Sequence, residues 1–205
     1  VAVNLNKKVL CFLDEYGTAG AGPFYPGGVI VLARNAGRVD TCFSDLLEPN
    51  ANEIHATNLD DCYLQGLLER FWTAAPKDRM VLINQKISDQ GGGAPVLYAR
   101  PVIQTVKVGL KQFQRDVLRR EKIGNVDVIT EVNHHNDHAA FEAVIEPARS
   151  QDGRFKRVNR ITRLDSAASR LLQLATSWPI PKSGLSARTS TRRAFGSATV
   201  SGYPE

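Results

Sequence analysis

The chain has 205 residues, 42% of them hydrophobic and 23% charged, enough for one ordinary domain with a real core and unlike the composition of a disordered or fibrous protein. No apolar run reaches the roughly 18 residues of a membrane span, no secretory signal is visible, and three cysteines without a C-x-x-C spacing suggest neither a disulfide framework nor a zinc knuckle, so a cytoplasmic protein with no membrane partner is expected. The net charge of +5 is uneven: Lys182, Arg188, Arg192 and Arg193 stand against Glu205 alone in residues 176–205, which leaves the rest nearly neutral and makes overall basicity weak evidence for a phosphate-binding face.

In chain order, residues 7–15 read as a strand, "GPFYPGGVIVLAR" (22–34) as a second, and "GRVDTCF" (37–43) as a third of an antiparallel meander. From Asp60 the period changes. Leu64, Leu67, Leu68, Phe71 and Trp72 recur at helical spacing and predict a helix with one buried stripe. Residues 79–87 return to strand, "SDQGGGAP" is a flexible loop lacking the G-K-[ST] ending of a phosphate loop, and Ile103, Val106, Leu110, Phe113 and Val117 mark a longer helix. "NVDVITEV" (125–132) is a strand, followed by the polar "NHHNDH" and a helix over about Asp137 to Ala148. A short strand at "RVNRITRL" leads into "DSAASRLLQLA", a helix capped by Asp165 or Ser166. Three strands followed by alternating helices and strands give an α/β class with a mixed sheet, in the order of an RNase H-like fold.

The first strand ends on Asp14 and Glu15, just before Gly17. A carboxylate at the end of an inner strand signals a hydrogen-bonded turn, a salt bridge or a metal. Glu131 repeats the arrangement at the end of "VDVITE", and adjacent strand ends of an α/β sheet share one crevice. Carboxylates held close repel one another, and a hard divalent cation relieves that repulsion, so Asp14, Glu15 and Glu131 are candidate ligands. Three of the four histidines lie in the cluster His134, His135, Asp137 and His138. Its readings are a zinc or manganese site, a general acid or base, or a helix start capped by Asn136 or Asp137 among solvated histidines. In "NEIHATNL", Glu53 and His55 point to one side of an extended segment and either reach the same crevice or lie on the surface ahead of a capped helix.

Taken in order, "FLDEYG", "FYPGGVIV", "EIHATNL", "VITEVNHHN" and "DSAASRLLQLA" resemble the family called domain of unknown function 3800, over residues 9–175. Tyr16 departs from that family's Asp-Glu-Ser-Gly turn. The resemblance implies an RNase H-like fold, Asp14 as the first-strand metal acid, Glu53 and His55 as an E-x-H pair, and Glu131 in place of a more usual aspartate. With a metal-bound water as nucleophile, the expected reaction is hydrolysis of nucleic-acid phosphodiesters with Mg²⁺ or Mn²⁺, His134 or His135 assisting proton transfer. The alternative is a non-catalytic nucleic-acid- or protein-binding accessory module of the same fold, in a phage or mobile element.

After "LLQLA" the family continues roughly A-D-L-V-A-Y, its aspartate being the last metal acid. This chain instead reads Ala175, Thr176, Ser177, Trp178, Pro179, Ile180, Pro181. A one-base slip near Ala175 accounts for the departure, because codons for these residues read in the shifted frame can spell A-D-L-V-A-Y. The expected organisation is therefore a domain over 1–175 and an irregular basic tail over 176–205, out of frame. Val1 fits a literally translated GTG start or a trimmed chain equally. As written, Pro179 and Pro181 are expected to stop the last helix about one turn early, leaving the cage one carboxylate short and metal binding poor.

Overall fold

A computed structural model describes residues 7–17, 24–48, 53–54, 58–87 and 93–177. The chain runs β1 (Val9–Tyr16), β2 (Tyr25–Leu32), α1 (Ala33–Ser44), α2 (Asp61–Ala74), β3 (Met80–Asn84), α3 (Ala94–Asp116), β4 (Val126–Glu131), α4 (Ala139–Gln151), β5 (Val158–Leu164) and α5 (Arg170–Ser177). Single 3-10 turns at Phe155–Arg157 and Ser166–Ala168 precede β5 and α5.

The five strands form one mixed sheet in the order β3-β2-β1-β4-β5. β2 is antiparallel to β1 and to β3, whereas β4 is parallel to β1 and β5 parallel to β4. The class is mixed α/β, and the ordering is compatible with an RNase H-like fold. Helices cover both faces, which is why β1, β2 and β3 read as nearly continuous apolar runs rather than alternating ones. Val9, Cys11 and Leu13 join the core beneath α3 and α4 with Leu110, Phe113 and Phe141. Phe12, Val29 and Val31 join the opposite core with Phe43, Phe71 and Leu172 from α1, α2 and α5. Gly28 permits close strand contact, since a Cβ there would lie 2.3 Å from the Phe12 carbonyl oxygen.

The strand expected over 37–43 is instead the second half of α1. Asn35, Val39 and Phe43 are its buried residues, four apart, and the chain enters this helix directly from β2, with the Ala33 amide donating to the Lys8 carbonyl at 2.9 Å. The third strand of the antiparallel set is β3. α2 begins as expected, with the Asp60 carboxylate accepting from the Cys62 and Tyr63 amides. α3 starts nine residues before Ile103, behind Gly93 and with proline in its first turn, and continues through Pro101. The other boundary shifts concern caps: His138 caps α4 in place of Asn136 or Asp137, and Asp165 caps the 3-10 turn rather than α5. Among the described residues no helix is long and apolar enough to cross a membrane.

Candidate functional site at the β1 and β4 strand ends

Leu13 pairs with Thr130 in the parallel β1/β4 ladder, so Asp14 and Glu131 follow side by side on strands that lie about 4.8 Å apart. Strand alternation sends both toward the α5 side, with Phe12 and Ile129. Opposite Asp14 on β2 is Gly27, which has no side chain to fill the space. Asp14 is only 4% exposed, while Glu131 is half-buried.

Asp14 accepts two further hydrogen bonds. Its Oδ1 accepts from the Glu15 amide at 2.8 Å. Its Oδ2 meets the Thr176 hydroxyl of α5 in a very short hydrogen bond, and the same hydroxyl lies 3.1 Å from the Leu172 carbonyl oxygen. A hydroxyl carries one proton. The Thr176 hydroxyl therefore shares its single proton between the Asp14 carboxyl oxygen and the Leu172 carbonyl oxygen. Burial, then the negative charges of Glu15 and Glu131, push the Asp14 carboxyl up to about 9, against the opposing hydrogen bond donated by Thr176.

Glu15 points to the other face of the sheet. Its Oε2 accepts from the Tyr98 hydroxyl of α3 at 3.0 Å, and its Oε1 accepts from the Asn133 side-chain amide at 3.0 Å. Burial raises this carboxyl to about 7, the Tyr98 hydrogen bond working against the shift. The two adjacent acids of the sequence thus have separate tasks, one at the α5 edge and one tying β1 to α3 and to the loop after β4.

That loop is locked by asparagines. Asn133 Oδ1 accepts from the His135 and Asn136 amides, both at 2.9 Å, and the buried Asn136 returns a bond from its side-chain amide to the Glu131 carbonyl at 2.6 Å. His135 is 8% exposed and stacks on Tyr98 with ring centroids 5.9 Å apart; burial and then His134 lower its pKa. His134 and Asp137 are exposed. His138 is occupied as a helix cap, its Nδ1 accepting from the Ala140 amide at 3.0 Å. The histidines therefore divide into a ring stacked on Tyr98, an exposed ring that lies 3.8 Å from it, centroid to centroid, and a cap.

Glu53 accepts from the buried Ser166 hydroxyl at 2.7 Å, which anchors it beside the turn that precedes α5. His55 and residues 178–205 lie outside the described residues. Tyr98 carries no motif that singles it out in sequence, and Asn133 and Asn136 lie in the polar "NHHNDH" stretch, where Asn136 reads only as a cap candidate. In sequence, Thr176 stands out only as the residue where the resemblance expects an acid.

Among the described residues no three His, Cys, Asp or Glu side chains group closely enough to hold a metal ion. Asp14 and Glu131 supply two hard oxygen donors, Glu15 is committed to Tyr98 and Asn133, and a threonine hydroxyl stands where a third acid would close the set. The donor set as it stands does not fit a Mg²⁺ or Mn²⁺ cage. No protein-family model matches the chain, and no curated protein matches it at a significant level.

Proposed function

We propose that the chain is an RNase H-like protein related to the domain of unknown function 3800 family. Its Asp14/Glu131 pair is the remainder of a divalent-metal-dependent nuclease site that lacks one acid at position 176. The contact between the Thr176 hydroxyl and Asp14 carries this reading, because Thr176 stands where the resemblance expects the last metal acid and it meets the first-strand acid directly. In this reading the chain as written binds Mg²⁺ or Mn²⁺ weakly and hydrolyses phosphodiesters poorly. A carboxylate at 176 would add a third hard donor to a pair already in mutual repulsion.

Thr176→Asp tests the proposal. Without metal the variant should be less stable than the parent, and millimolar Mn²⁺ should raise its melting temperature by several degrees while leaving the parent unchanged. Cleavage of a labelled oligonucleotide, abolished by adding Asp14→Ala, is the accompanying assay. Tight Mn²⁺ binding by the parent chain in calorimetry, or no metal response in Thr176→Asp, refutes the reading. Sequencing the coding DNA across codons 170–182 tests the frame slip separately. The second reading, a non-catalytic binding module of a phage or mobile element, draws on the same bond: a protonated Asp14 sealed by Thr176 is a stable resting arrangement that needs no cation.

A further inference from the structure

Residues 149–163 contain Arg149, Arg154, Lys156, Arg157, Arg160 and Arg163 against Asp152 alone, an excess of five that equals the net charge of the whole chain. The fold gathers this segment at one place: the end of α4, the 3-10 turn Phe155–Arg157, and β5, the edge strand next to β4. Neighbouring acids offset part of the charge. Glu142 pairs with Arg163, Glu146 with Arg149, and Asp127 is shared by Lys8 at 2.7 Å and Arg160 at 2.9 Å. Arg154, Lys156 and Arg157 are exposed and form no ion pair among the described residues. Arg160 keeps 65% of its side chain exposed while it holds Asp127.

Edge strands commonly carry a charge or two that discourages strand-to-strand aggregation. That purpose does not account for this cluster, because Arg154, Lys156 and Arg157 precede the strand and cannot guard its hydrogen-bonding edge. Their position has a different consequence. β5 runs parallel to β4, and Leu164 pairs with Glu131, so the line from Arg157 through Arg160 leads along the sheet edge to the acidic strand ends. Arg160 lies four residues from Leu164, about 13 Å along a strand.

We propose that this edge is a docking surface for the phosphate backbone of a nucleic acid, with Arg154, Lys156, Arg157 and Arg160 as the phosphate contacts. The surface delivers the bound strand toward the Asp14/Glu131 end. The inference deepens the nucleic-acid reading above, on which its biological sense rests, but it requires no metal. Charge sets the occupant: flexible cations at exposed positions match a repeating anion, and the cluster has no apolar component that would favour a protein partner.

The test is fluorescence anisotropy with a labelled 20-nucleotide single strand, full chain, in EDTA, from 50 to 200 mM salt. Arg154→Gln with Lys156→Gln removes two phosphate contacts. At about 150 mM salt this should weaken binding about tenfold and make the salt slope shallower by about 1.4, at roughly 0.7 per contact on a single strand. Lys77→Gln with Arg79→Gln, before β3 at the opposite sheet edge, should change neither quantity. The basic residues of the C-terminal tail are the same in every variant and cancel in the comparison. Equal affinity in parent and edge variant, equal losses in edge and control variants, or binding of anionic phosphatidylserine vesicles in place of the oligonucleotide would each overturn the proposal. Because metal is absent, failure here is separate from failure of the Thr176→Asp test.

Discussion

Replacing Asp14 by asparagine removes a carboxyl group that the fold holds against ionisation. The side chain is 4% exposed, and burial followed by the charges of Glu15 and Glu131 raises its pKa from 3.8 to about 9. The folded chain therefore keeps a proton that the unfolded chain releases above about pH 4. Stability falls as pH rises wherever the folded state holds the extra proton, by about 1.4 kcal/mol per pH unit. The contribution is fully favourable below the unfolded value and is lost as pH climbs through the folded one. Glu15, raised to about 7, also contributes below neutrality, so the window from pH 7 to 9 isolates Asp14. Across it the parent should lose roughly 2 kcal/mol on this group's account. Asparagine is nearly isosteric, carries no charge, and can donate from its amide to Thr176 or Glu131. Asp14→Asn should lose much less over the same interval and be the more stable protein at pH 9. Urea unfolding followed by tryptophan fluorescence at pH 7, 8 and 9 reads both quantities. Parallel pH dependence in parent and variant, or a variant less stable than the parent at pH 9, would refute the argument.

Tyr98→Phe deletes the hydroxyl that donates to Glu15 and should cost about 1–3 kcal/mol in urea unfolding at pH 8. The loss should be smaller at pH 5, where a Glu15 carboxyl raised to about 7 holds its own proton; an equal loss at both pH values would contradict the assigned bond. Gly28→Ala would set a Cβ 2.3 Å from the Phe12 carbonyl oxygen and 2.5 Å from a Leu13 methyl, so strands β1 and β2 must part. A melting curve should show destabilisation of about 1–3 kcal/mol, and an unchanged melting temperature would mean that the strands are not so closely apposed.

Much of the architecture is legible locally. The acids at the ends of β1 and β4 stand out because each closes an apolar run, and the α2 stripe from Leu64 to Phe71 has a helical period that no strand would share. The 37–43 segment is misread because its helical signal, Asn35, Val39 and Phe43, begins before the window that looks like a strand. A buried asparagine also carries no hydrophobic mark. Glu15 illustrates a further limit: adjacency in sequence suggests a shared site with Asp14, whereas strand pleating sends the two to opposite faces, so that only Asp14 meets α5 and only Glu15 meets Tyr98.

Local period and local composition are enough to place the chain in the mixed α/β class, to order its elements approximately, and to set two carboxylates at strand ends. Only long-range packing settles that β1 lies between β2 and β4, that Thr176 meets Asp14 from 162 positions away, and that β5, carrying the exposed Arg160, is the end strand next to β4. Those are contacts between segments distant along the chain. They follow from how two apolar cores close over both faces of one sheet, a constraint that no window of neighbouring residues contains.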